Sequence, residues 1–149
     1  MIEVMFRGAP PFGLTLRSLR RALESTFVVA RRRSSGSVSV VFGSEAEMRR
    51  LNRRWRQQAR STDVLSFAPA AKMPEPRGCV LSWGDIILAP VFIRRECRQH
   101  SRPCSEQLLR VLIHGMLHLL AFDHATILEA KQMFKLQERA LHRTLIQRL

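Results

Sequence analysis

The sequence predicts an α+β fold, α/β-like in the way its elements alternate. It reads as one domain over residues 1–149, with a sheet of about four strands and helices packed on its faces. Three observations predict this. Short β-prone runs are interleaved with stretches of helical periodicity, a pattern that calls for a sheet covered by helices. A chain of 149 residues, 46% hydrophobic, can bury one real core and not two. Finally, Leu108–Leu120 (LLRVLIHGMLHLL) is apolar on nearly every side, as a buried helix is.

The elements follow in order. Ile2–Phe6 is short, apolar and β-prone, a first strand, and Gly8–Gly13 with its two prolines is a turn. From Leu14 to Ala30, Leu16, Leu19, Leu23, Phe27 and Val28 recur at helical spacing. Arg31–Gly36 (RRRSSG) ends that helix as a basic loop, and Ser37–Phe42 (SVSVVF) alternates as a β-branched strand. Ser44 and Glu47 form a capping box for a helix from about Glu45 to Trp55. Met48, Leu51, Asn52 and Trp55 share one side of it, and arginines occupy the others.

Thr62–Phe67 (TDVLSF) reads as a third strand, Ala68–Gly78 with three prolines as an irregular loop, and Gly84–Leu88 as the centre of a fourth strand. Val91–Cys97 starts a short helix that Gln99–Pro103 breaks. Ser105 is placed to cap the next helix, with Glu106 at its positive end. Thr126 and Glu129 cap a terminal helix to about Arg148, with Leu128, Met133, Leu136, Leu141 and Leu145 facing inward.

Composition narrows the function classes. The formal net charge is +13, from 25 Lys+Arg against 12 Asp+Glu. Such a balance points to a polyanionic partner, with nucleic acid ahead of an acidic membrane. No apolar run approaches the roughly 20 residues of a membrane span. The N-terminus lacks the basic and apolar regions of a signal peptide. Three irregularly spaced cysteines suggest no disulfide framework, and Cys97, His100 and Cys104 lack an evident fourth ligand. The expected compartment is a reducing cytoplasm.

The chemistry concentrates at HGMLHLLAFDH, which holds three of the five histidines, His114, His118 and His124. On a helix, His114 and His118 lie about 40° apart and roughly 6 Å along the axis. Burying both imidazoles without partners would cost about 1–3 kcal/mol each, and one metal ion would satisfy the two together. His124 follows at a spacing that brings it back over the pair. The same His-x3-His-x5-His spacing forms the zinc site of metzincins. Three protein ligands leave a fourth position open, as in catalytic zinc sites.

Two departures from the zinc-peptidase pattern are visible. Gly115 stands where such an enzyme carries its general-base Glu. Ala121 stands where glycine would let the chain leave the helix at positive φ, so the turn into Asp123 and His124 is expected to be made some other way. Asp123 is expected to orient a ligand or cap that turn. Asp63 and Asp85, at strand boundaries, are expected to serve structural hydrogen bonds.

HGMLHLLAFDH resembles the signature H-G-x-L-H-L-x-G-x-D-H of the YbeY family of metal-dependent endoribonucleases. Asn52–Phe67 (NRRWRQQARSTDVLSF), Gly84-Asp85-Ile86 and Met133–Glu138 (MFKLQE) are similar to further stretches of that family, in the same order. The resemblance implies a mixed four-stranded sheet with helices on its faces. It implies a divalent ion, zinc first, held by His114, His118 and His124, and it gives Arg56 the place of the family's catalytic arginine. It further implies a single-strand-specific endoribonuclease that matures ribosomal RNA at the 3′ end of 16S rRNA and takes part in ribosome quality control. Expected partners are single-stranded ribosomal RNA and the small subunit or its assembly factors, and the attacking group is either activated water or the RNA's own 2′-hydroxyl. Two alternatives accompany this reading: a non-catalytic ribosome assembly factor with a structural metal site, and a metal-dependent hydrolase or peptidase related to metzincins.

Overall fold

The computed structural model describes residues 2–56, 62–69 and 81–147. Their order is β1 (Glu3–Arg7), α1 (Leu16–Val29), β2 (Ser37–Phe42), α2 (Glu45–Arg56), β3 (Val64–Phe67), β4 (Ser82–Leu88), α3 (Pro90–Gln99), α4 (Cys104–Leu119) and α5 (Ile127–Ile146). The Ala68–Gly78 loop falls largely outside the described residues, as does Cys79.

The strands form one mixed sheet in the order β1-β2-β4-β3. The pairs β1–β2 and β2–β4 are parallel, and β3 runs antiparallel to β4. The parallel pairs need crossovers, which α1 and the α2–β3 segment supply. The expected fold class is therefore the observed one.

Alternation in the strands divides the core. Val38 and Val40 of β2 and Ile86 and Leu88 of β4 are buried beneath α1, α4 and α5 with Leu19, Leu23, Phe27, Leu108, Leu112 and Met116. On the opposite face, Leu65 packs with Met48 of α2 and with Ala89, joined by Leu51, Phe67, Ile87 and Phe92.

Two glycines set how closely layers approach. Gly84 has φ 119°, and a Cβ there would stand 2.1 Å from the carbonyl oxygen of Phe67. Only glycine combines that φ with that contact. Gly115 lets α4 lie against the sheet, since a Cβ would stand 2.9 Å from the Ser66 hydroxyl and 3.1–3.2 Å from Ile86 and Val64. Ser66 Oγ donates to the Gly115 carbonyl at 3.0 Å across that approach.

The helix ends differ from expectation in three places. α4 begins at Cys104 with Pro103 as its N-cap and no side-chain cap, so Ser105 lies inside the first turn. Leu128 is 79% exposed, not inward. It lies about 140° around α5 from Met133, while the buried stripe is Met133, Gln137, Ala140, Leu141 and Thr144. Cys97 and Cys104 are joined as a disulfide, their Cα atoms 5.4 Å apart, against the expectation of none. The turn between α3 and α4 folds the two cysteines together, which a count of cysteines does not reveal.

Candidate metal centre and cleft

α4 is long enough to carry two histidines on one face because Leu108, Leu109, Leu112, Ile113, Met116 and Leu117 anchor its other sides in the core. His114 and His118 are half-buried on the remaining face, and His124 is exposed beside them. The three rings gather with centroids 4.7–5.8 Å apart. One nitrogen from each falls within 4.8 Å of the others.

The return of His124 depends on how α4 ends. Ala121 has φ 71°, so the turn is made in the left-handed conformation despite alanine, contrary to the expectation of another route. Ala121 N–H donates to the His118 carbonyl and Phe122 N–H to the Leu117 carbonyl, each at 3.0 Å. This pair of bonds is the Schellman motif, which reverses a chain at a helix C-terminus. Asp123 then caps the turn, its Oδ1 accepting from the His124 backbone N–H at 2.7 Å.

The donor set suits a divalent ion. The Nε2 atoms of His114 and His118 are 3.1 Å apart. Two imidazole nitrogens at about 2.0–2.1 Å from one tetrahedral ion would stand about 3.3–3.4 Å apart. His114 Nδ1 donates to the side-chain carbonyl of Gln137 at 2.8 Å. That bond places the ring proton on Nδ1 and turns the Nε2 lone pair inward, as the outer partner of a metal-binding histidine does. Burial is the chief cause holding the His114 pKa below its ordinary value; the Gln137 bond and the Asp63 charge oppose it, and His124 adds to it. The neutral, ligand-competent ring is thereby favoured.

The histidines line a cleft of about 240 Å³ together with Thr62, Asp63, Val64, Ser66, Gln107, Arg110, Val111 and Gln137. Gln137, Arg110 and Asp63 are residues that sequence reasoning did not place in the site. Gln137 carried a detectable signal, as a polar residue four after Met133 on a buried stripe. Arg110 is one turn before His114 on the same face, a relation the spacing also contained. Asp63 reaches the cleft only through the pairing of β3 against β4. Asp85 is exposed on the opposite side of the sheet, in a groove with Arg7, Arg50 and Trp55. Arg56 closes α2, and its side chain lies outside the described residues.

A mixed sheet covered by helices, with three histidines of α4 and the turn after it gathered in a cleft where they could hold a metal ion, defines a single-domain α+β protein with a candidate metal centre. Comparison with known proteins gives the family. The family model described as Endoribonuclease YbeY matches residues 15–145. The endoribonuclease YbeY of Chelativorans sp. (strain BNC1) is 37% identical over 127 residues, 83% of this chain and 77% of that protein. That of Parvibaculum lavamentivorans is 33% identical over 147 residues, 94% and 79% of the two chains. The solution structure of TM1509 from Thermotoga maritima superposes with a TM-score of 0.62 at 27% identity, covering 97% of this chain and 89% of the other. The chain belongs to the endoribonuclease YbeY family, as the resemblance in its sequence implied. The enzyme class is accordingly that of hydrolases acting on RNA phosphodiester bonds.

Proposed function

We propose that the protein is a zinc-dependent, single-strand-specific endoribonuclease, one domain over residues 1–149, that acts in the cytoplasm. Its proposed role is maturation of the 3′ end of 16S rRNA and ribosome quality control, with ribosomal RNA and the small subunit or its assembly factors as partners. The observation that carries this reading is the three-histidine cluster opening onto a cleft in a chain of this family. The +13 charge supports a polyanionic substrate.

In this mechanism His114, His118 and His124 would hold the ion as neutral imidazoles. A divalent ion held there supplies Lewis-acid polarisation of a phosphoryl oxygen and lowers the pKa of a water. Gln137 keeps the His114 ring in the tautomer that binds. Arg56 is the residue assigned, by its place in the family's pattern, to stabilise the negative charge that grows on the phosphate in the transition state. The nucleophile is water or the substrate's 2′-hydroxyl, and the termini distinguish the two: only 2′-hydroxyl attack leaves a 2′,3′-cyclic phosphate.

The peptidase alternative meets a steric obstacle. At Gly115 a Cβ alone would crowd Ser66, Ile86 and Val64, so the glutamate of a zinc peptidase has no room in this packing. The assembly-factor alternative is separated by experiment. Zinc content and cleavage of a single-stranded RNA are measured on wild type, His124→Ala and Arg56→Glu. Wild type should carry one zinc per chain and cut RNA, His124→Ala should lose both, and Arg56→Glu should keep zinc while turnover falls at least tenfold, about 1.4 kcal/mol in the barrier. Zinc without cleavage in wild type would move the protein to the assembly factors, and equal turnover in Arg56→Glu would remove that residue from the mechanism.

A further inference from the structure

We propose that Arg110 is a phosphate-binding residue of the histidine cleft, seating the phosphodiester next to the one at the metal centre. The inference rests on the endoribonuclease reading for the nature of the ligand, and adds a subsite to it.

Arg110 lies four residues before His114 on α4, so its side chain leaves the same face one turn, about 6 Å, away. Among the described residues lining the cleft it is the one lysine or arginine; the others are the three histidines, the carboxylate of Asp63, and neutral side chains. The guanidinium is already held in place. Its Nε donates to Glu138 Oε1 at 2.7 Å and its Nη2 to Glu138 Oε2 at 3.4 Å. Its Nη1 donates to Gln107 Oε1 at 2.9 Å.

A guanidinium has five N–H donors, so these bonds leave one on Nη1 and one on Nη2. One N–H on each terminal nitrogen thus remains to donate to the oxygens of a phosphate. The Arg110 side chain keeps 19% of its surface exposed, which leaves it accessible from the cleft. A guanidinium fixed beforehand loses little side-chain entropy on binding. Glu138 has two effects in this arrangement: it orients the fork, and its negative charge competes with the phosphate for it.

A purely structural ion pair between α4 and α5 makes a different prediction, because its two halves would then count alike. The test uses the metal-loaded protein and a fluorescent single-stranded RNA dodecamer with methylated 2′-hydroxyls, titrated by anisotropy over a potassium chloride series. Arg110→Gln should reduce the slope of log K against log salt by about 0.7, the value of one phosphate contact on a single strand. Binding should weaken about tenfold, the scale of one charge-assisted hydrogen bond. Arg110→Lys should keep the slope, and Glu138→Gln should tighten binding, with zinc content unchanged in each.

A wild-type slope in Arg110→Gln, or weaker binding in Glu138→Gln, overturns the proposal. Should Arg110→Gln fail to fold, the direction of the Glu138→Gln effect decides. Wild type that cuts single-stranded RNA while Arg110→Gln keeps its slope removes the subsite alone. Wild type that neither binds nor cuts removes the endoribonuclease reading and the subsite together.

Discussion

Ala121 takes the left-handed conformation that glycine adopts without cost, at φ 71°, and it is exposed. For an L-residue with a Cβ that conformation costs roughly 1–2 kcal/mol, offset here by the two hydrogen bonds that end α4. Ala121→Gly should therefore raise stability by about 1 kcal/mol, less the entropy glycine adds to the unfolded chain; urea denaturation measures it, and a loss of stability would show that the strain is absent. At the same scale, Gln137 accepts from His114 Nδ1 at 2.8 Å, while its amide donates to Glu138 Oε1 at 3.4 Å. Removing such an outer partner lowers metal affinity about 10–100-fold. Gln137→Leu should show that loss in a chelator competition while its helix keeps its packing, and unaltered affinity would refute the tautomer argument.

Between elements, α3 is tied to its neighbours by charge and by sulfur. Arg95 pairs with Glu45 of α2, and Cys97 is joined to Cys104 at the start of α4. Glu96 lies between these, and its carboxyl pKa is raised by burial first and by the nearby Asp63 charge second, with His100 opposing. The sign of the linkage follows. The folded state holds the proton more tightly, so the unfolded chain releases it first as pH rises, and stability falls from the ordinary glutamate range upward through the raised folded value. Glu96→Gln should thus stabilise the protein at neutral pH and have no such effect below about pH 4, beneath the ordinary glutamate pKa. Melting curves of both proteins across pH 3–8 test this, and a pH-independent difference would assign the effect to packing.

Over the whole molecule, charge and metal are the two global terms. Four arginines of α2 (Arg49, Arg50, Arg53 and Arg54) and three of α3 (Arg94, Arg95 and Arg98) are exposed, so positive charge extends over these two helices and is not confined to the cleft. No helix among the described residues is long and apolar enough to cross a membrane. An ion that binds only the folded protein stabilises it by mass action, about 4 kcal/mol at a thousandfold excess over its Kd. For a chain of 149 residues this corresponds to a Tm shift of about 8–16 °C. Stripping the metal with a chelator should lower Tm by that order in wild type and by almost nothing in His124→Ala; equal shifts would place the ion elsewhere.

Much of this was legible in the sequence because it is local. Strand alternation, the helical period of α1, the all-round apolar run of α4, the box at Ser44 and Glu47, and the spacing of His114, His118 and His124 all depend on residues within a few positions of one another. The α+β class follows from their order. Contacts across the chain are different in kind, because pairing energies between distant segments leave no period in either segment. The burial of Gln137 against His114, the joining of Cys97 to Cys104, and the approach of β3 that brings Asp63 into the cleft were decided by tertiary structure. So was the conformation of Ala121. Its own preference opposes the left-handed turn, and the hydrogen bonds and packing at the end of α4 override it. The sequence by itself determined which residues could hold a metal; the packing of α4 against α5 and the sheet decided which groups orient and surround them.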